Sequence, residues 1–402
     1  MPRLSSFPQV ATRKSTIGAF AAILLLSAST SSFAIDAKEV VERFTAFNNA
    51  QGQNFTYTAI EDDNGDSFNL KGASLTLPNA KPLMVSNIQF NGVQENSDGS
   101  LTIGSVVYDK INFANENVVV TLGEVAVNDF TLPSKENPNA VKSFVYFNSM
   151  TGSGLKVIVD GKPVGSMASL SINYGEITKD QPIAMRADIT GFTADLTGVD
   201  DAKIKLGLTS LGYDGKFSGS MTMDGSWNPS DGRMEITKQD IKLDNIGTLS
   251  ILFTMSGYTA ELAQRLQKAS AMAQDSGNQQ AAGMAMMAEL PKLIFESAKI
   301  SFTDDSITKR VLKMQAAAMG GTADDVAKMV PVMMPMMLGG LGNPEFTTML
   351  TGAVGRFVGE PKNITITAKP EKPIPFSELM GIGMAAPTSL IGTLDVKVTA
   401  NE

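Results

Sequence analysis

The sequence predicts an α+β fold: a long, curved antiparallel β-sheet with one apolar face covered by a Met-rich helical segment, and C-terminal strands that return to the sheet. Three observations predict it. From about residue 55 to residue 255, apolar and polar side chains alternate between turn dipeptides, the period of a half-buried strand. Past Gly257 the apolar period lengthens to that of a helix, and alternation returns in 363–369 and 393–399. The expected division is therefore 1–34, a signal peptide; 35–256, an N-terminal helix and the sheet; and 257–402, a helix-rich, Met-rich region with the returning strands.

The first segment has the layout of a secretory signal. Arg3, Arg13 and Lys14 precede the apolar run Ile17 to Leu26, and Ser32-Phe33-Ala34 supplies the small-x-small cleavage pattern. The expected location is periplasmic, and an uncleaved anchor is the competing reading. Cleavage removes three cations and no carboxylate, taking the net charge from -8 to -11. Such a balance argues against nucleic acid and anionic membrane surfaces as electrostatic partners. The chain has no cysteine and no histidine. A disulfide-linked partner is thereby excluded, as are His- or Cys-based triads and ordinary zinc, haem or iron–sulfur sites. No enzyme, metal or cofactor is expected.

Asp36 is placed to cap a helix carrying Val40, Val41, Phe44 and Phe47 on one side. The strands that follow are punctuated by Asn64-Gly65, Asp98-Gly99, Asp160-Gly161 and Asp214-Gly215, dipeptides suited to the positive φ of tight turns. Taking the last as a two-residue turn places Leu206 opposite Met223 and Leu208 opposite Met221, with Trp227 on the same face. Lys203, Lys205, Thr222 and Asp224 would then form a wet face.

In the helical region, Thr259 is expected to cap a helix with Leu262, Leu266 and Ala269, stopping near 275–277. A second runs from Gln279 to Phe295 with Met284, Met287 and Ile294 on one side and a kink at Pro291. After a short strand at Ala298, Ile300 and Phe302, a helix lined by Ile307, Val311, Met314 and Ala318 ends at Gly320. Thr322 opens the segment leading into MVPVMMPMMLGGL, residues 329–341, which has no charge between Lys328 and Glu345. Too short and Pro-broken to span a bilayer, it is expected to close the apolar sheet face. Asn343-Pro344 then starts a helix bearing Phe346, Met349, Leu350, Ala353, Val354 and Phe357.

Methionine is abundant, 23 residues, mostly beyond residue 250. Flexible thioethers fill irregular gaps or accept variable apolar partners. Packing of helices on the sheet is one reading, a lining for a lipid or similar apolar molecule a second, and copper(I) at Met333, Met334, Met336 and Met337 a third. The candidate lining is Leu206, Leu208, Met221, Met223, Trp227, Met284, Met287, Met333, Met334, Met337, Phe346 and Met349.

Two other motifs have simpler explanations. Ser306 and Lys309 match an S-x-x-K spacing, but no K-T-G element accompanies them and Asp305-Ser306 reads as a helix cap. Glu61, Asp62, Asp63 and Asp66 surround a turn whose register fails the EF-hand pattern.

The segments SLTLPNAKPLMVSNIQF, DGSLTIGSVVYDKI and DAKIKLGLTSLGYDGKFSGSMTM resemble the AsmA-like envelope proteins and related periplasmic proteins of unknown function, across about residues 55 to 255. The resemblance implies a curled antiparallel sheet whose apolar face handles lipid. Lipid binding is the leading expectation, with an envelope protein as a possible partner. The alternative is a structural or protein-interaction module of the cell envelope with a fully packed core and no ligand.

Overall fold

The computed structural model describes residues 35–402 apart from 51–52, 62–63, 77–80, 136–145, 177–180, 200 and 274–278. The expected signal segment, the helix stop at 275–277, and Asp62 and Asp63 lie outside the described residues.

The sheet is an antiparallel meander in which strands pair with their neighbours in sequence. β1 (Asn54–Thr56) and β2 (Ala59–Glu61) follow one another along β3 (Phe68–Thr76). Next come β4 (Leu83–Glu95) and β5 (Leu101–Ala114), then β6 (Val118–Leu122) and β7 (Val125–Leu132) sharing one place beside β8 (Ser149–Val159). The order continues through β9 (Lys162–Tyr174), β10 (Ile183–Asp195), β11 (Lys216–Trp227), β12 (Met234–Leu243), β13 (Gly247–Ser256) and β14 (Ile294–Asp304). β15 (Asn363–Ala368) and β16 (Ile374–Pro375) pair with β14, and β17 (Val396–Ala400) pairs with β15. The fold is thus α+β, and its C-terminal strand joins the sheet.

Several strands reverse their inward face without losing register. In β3 the buried residues are Phe68 and Leu70, then Ala73. Between them Gly72 has φ 58°, while the partners Ile88 of Leu70 and Val85 of Ala73 stay in one register. In β7 Val127 gives way to Phe130 and Leu132 across Asp129, φ 51°. A left-handed residue inside a strand re-aims the following side chains, as bulges do. It keeps apolar residues on the core side of the strand.

The first helix, α1 (Ala37–Ala50), forms as expected, with the Lys38 N–H donating to Asp36 Oδ1. Its Val40, Val41 and Phe44 are buried against Phe55, Phe90 and Ile103. Glu39 pairs with Arg43 rather than completing a capping box, at 2.7 Å; that hydrogen bond holds its carboxyl below the usual range.

The hairpin expected around Asp214-Gly215 is not formed. Residues Ala202–Leu211 are a helix, α2, between β10 and β11. Asp201 accepts from the N–H groups of Lys203 and Ile204, and Gly212, φ 71°, ends the helix in the left-handed conformation. Those two caps bound a segment whose Ile204, Leu208 and Leu211 also fit a helical period. Leu206 and Leu208 therefore do not face Met223 and Met221, which pair instead with β10 and β12.

The remaining helices are α3 (Ala260–Ala273), α4 (Gln279–Glu289), α5 (Ile307–Met319), α6 (Ala323–Leu338), α7 (Pro344–Gly359), α8 (Phe376–Ala385) and α9 (Leu390–Thr393). The expected helix through Phe295 ends earlier. Pro291 sits in a single 3₁₀ turn, Leu290–Lys292, and Ile294 and Phe295 belong to β14. The face of α5 that is buried is Leu312 and Ala316, one position round from the expected Val311 and Met314 line.

Candidate functional site: the apolar sheet face

Register alone assembles an apolar surface across the second half of the sheet. Leu170, Ile189, Met221, Ile241, Leu249, Phe302, Ile364 and Ala400 stand opposite one another in turn from β9 to β17. A second rung runs Tyr174, Met185, Gly225, Ile236, Phe253, Ala298, Ala368 and Val396. At about 4.8 Å between strands, eight strands make each rung roughly 34 Å long. The face is continuous with the N-terminal core through Val127, Met150 and Ile172.

The opposite face is polar. Arg186 donates to Asp188 at 2.8 Å and lies 3.5 Å from Asp224. Ser169 pairs with Thr190 and Ser301 with Thr365. The sheet thus has the expected wet side and apolar side.

Helices close the apolar face at its margins. α1 covers β3 to β7. α7 sets Ala353 and Phe357 on Val398 and Ala400, with Phe302 and Ile364 beneath. The α3 residue Leu262 and the α8 residue Phe376 pack with Met255, Leu293 and Phe253 at one set of strand ends. Between these margins the rung residues from Leu170 to Leu249 are only partly buried. Ile300 and Ile366, paired on this same face, are each 45% exposed.

The expected lining residues separate into five places, and Leu206 and Leu208 lie on α2, outside the sheet. Met221, Met223 and Trp227 lie along this face in β11, with Trp227 Nε1 donating to Tyr258 O at 2.7 Å. Phe346 and Met349 belong to α7, where Phe346 packs on the β17 core and the Met349 sulfur accepts the Val398 N–H at 3.2 Å. Met284 and Met287 are exposed on α4. Met333, Met334 and Met337 are on α6, whose main neighbours are α5 and α7 rather than the sheet. The 329–341 stretch therefore does not close the sheet: Val332, Met336 and Met337 are 75–78% exposed. Its helix survives Pro331 and Pro335 because the Thr322–Asp325 capping box fixes its start and Val326 anchors it on Leu312 and Ala316.

Sequence reasoning missed Leu170, Ile172, Met185, Ile189, Ile251, Ile300 and Ile366 as lining. Their alternation was visible, but which strands lie uncovered depends on where helices dock. Ser306 has a structural occupation: its hydroxyl donates to Asn245 O and accepts from Arg310 Nε. Arg310 in turn donates to Leu211 O and Gly212 O and lies 4.3 Å above the Tyr213 ring, tying α2 to α5.

A family model described only as an uncharacterized protein matches residues 240–401, from within β12 to the last strand. No curated protein matches the chain. Among the described residues no helix is long and apolar enough to cross a membrane.

Proposed function

We propose that the protein binds an acyl chain of a lipid, or a similar linear apolar molecule, along the rungs of the β9–β15 face. We place it in the periplasm as a secreted, non-enzymatic envelope protein akin to the AsmA-like proteins. One observation carries the reading: two in-register apolar rungs that remain only partly buried between helix-covered margins. An exposed contiguous apolar surface is costly in water and marks an interaction site. Each methylene removed from water contributes about 0.8 kcal/mol, so a chain of about sixteen carbons laid half-covered along a rung gathers on the order of 6 kcal/mol before ordering costs.

The test is purification without detergent, followed by organic extraction and mass spectrometry, alongside the double variant Met221→Glu/Ile300→Glu. A stoichiometric acyl lipid in the wild type, lost in the variant, supports the reading; absence of lipid from the wild type refutes it. The alternative, an envelope interaction module without ligand, draws on the closed N-terminal part, where Leu70, Ile88, Phe90 and Leu101 are fully buried. In-cell cross-linking to a discrete protein, with no lipid recovered, would favour that module.

A further inference from the structure

We infer that the exposed methionines of the helical region are the sites at which the protein takes up a two-electron oxidant, hypochlorous acid, as methionine sulfoxide while its fold stands. Met284, Met287, Met319, Met336, Met337 and Met384 are 57–84% exposed on α4, α5, α6 and α8. A thioether so exposed gains little from burial, so packing does not account for it. The helices are held by other residues. Ala282 is buried in α4, and Glu289 at its end pairs with Arg265 and Lys292. Leu312, Ala316 and Val326 form the α5–α6 contact, and Phe376 packs α8 beside Met255 and Leu293. None of these anchoring side chains on the helices is a methionine.

Other methionines are shielded. Met255 is 8% exposed in its core cluster, and the Met349 sulfur accepts the Val398 N–H. The chain has no cysteine and no histidine, so thioethers are its only sulfur nucleophiles. Sulfoxide formation turns a flexible apolar side chain polar, which disrupts a core, and sulfoxide reductases reverse it. At an exposed position that packs nothing, the same change leaves the core untouched.

The reaction is a two-electron exchange. The sulfur lone pair attacks chlorine, and the Cl–O bond breaks with release of hydroxide. Water then adds to the chlorosulfonium sulfur and chloride leaves. Sulfur is oxidised by two electrons and chlorine(I) is reduced to chloride. Of the two protons of that water, one neutralises the hydroxide and one passes to solvent. Together the exposed thioethers make a reversible sink for the oxidant, a role that goes beyond the acyl-chain reading and does not depend on it.

Limiting hypochlorite followed by peptide mass mapping tests the inference. Each of the six exposed methionines is expected to carry at least tenfold more sulfoxide than Met255 or Met349, with circular dichroism and the urea midpoint unchanged. Methionine sulfoxide reductases A and B with dithiothreitol should restore the original mass. The variant Met284→Leu/Met287→Leu/Met319→Leu/Met336→Leu/Met337→Leu/Met384→Leu should divert oxidant to lysine, raising chloramine at least threefold at the same dose while its circular dichroism matches the wild type. Sulfoxide spread without regard to exposure, unfolding at the first sulfoxides, or equal chloramine in the two proteins would each overturn it.

Discussion

The two halves of the sheet use one sequence pattern to different ends. In β3 to β7 the alternating apolar residues are sealed by α1: Phe44 meets Phe55, Phe90 and Phe130 edge-on at 5.1–6.0 Å. In β9 to β13 residues of the same kind are left only partly buried, with helices at the margins only. The difference teaches that alternation specifies a face, and that only tertiary placement of helices decides whether the face becomes core or surface.

The largest effect expected from this contrast is on stability. Phe90 is fully buried, stacked on Phe68 at 4.7 Å, so Phe90→Ala should cost about 3–5 kcal/mol. Met221→Ala, on the partly buried rung, should cost about 1 kcal/mol or less. Urea unfolding checks both, and equal costs would erase the distinction between the halves.

A sharper probe of the uncovered half is Gly219. A Cβ there would sit 2.0 Å from Lys242 O and 2.7 Å from the Phe192 ring, which lies across the glycine. Gly219→Ala should cost about 1–3 kcal/mol through strand displacement, read by the same unfolding curves. At the end of α2, Arg310→Ala removes the guanidinium from Leu211 O, Gly212 O and the Tyr213 ring. A loss of about 1–2 kcal/mol is expected, confined to α2, whose amides should exchange faster while those of β4 and β5 do not.

The smallest effect concerns pH. Tyr108 packs against the N-terminal core, and burial pushes its phenol above the usual value of 10.0. Folding therefore disfavours the phenolate. The stability this contributes is complete below the unfolded pKa and is lost as pH rises through and beyond it. Tyr108→Phe should flatten the alkaline fall in stability above about pH 10, a change visible in melting temperatures measured from neutral to alkaline pH.

Much of the fold was legible in local signals. The α1 face, the Thr322 and Asn343 caps, the strand alternation in β13 and the Asp160-Gly161 turn, φ 49° and 74°, appear where the sequence places them. The misreading at 202–211 arose because a turn dipeptide after a helix looks like one inside a hairpin. Ile204, Leu206 and Leu208 satisfy a period of two as well as their helix satisfies 3.6. The 329–341 stretch was misplaced for a different reason. Apolar composition predicts burial, yet α6 finds its anchor in Val326 and its far half extends past the packing. Of the site, β11 was readable because Met221, Met223 and Trp227 alternate without interruption. Ile300 and Ile366 were not, because their exposure depends on how far α7 reaches along β15 and β17.

Trp227, the chain's one tryptophan, lies in β11 beside Ile183 and Met234, and offers the most direct measurement. Titration with a brominated fatty acid, which quenches indole only at contact range, should lower its fluorescence saturably at about one equivalent. The unbrominated acid should compete, and Met221→Glu/Ile300→Glu should abolish the effect. Fluorescence unmoved by the brominated acid, in protein shown to be free of bound lipid, would contradict the account of the β9–β15 face as a binding surface.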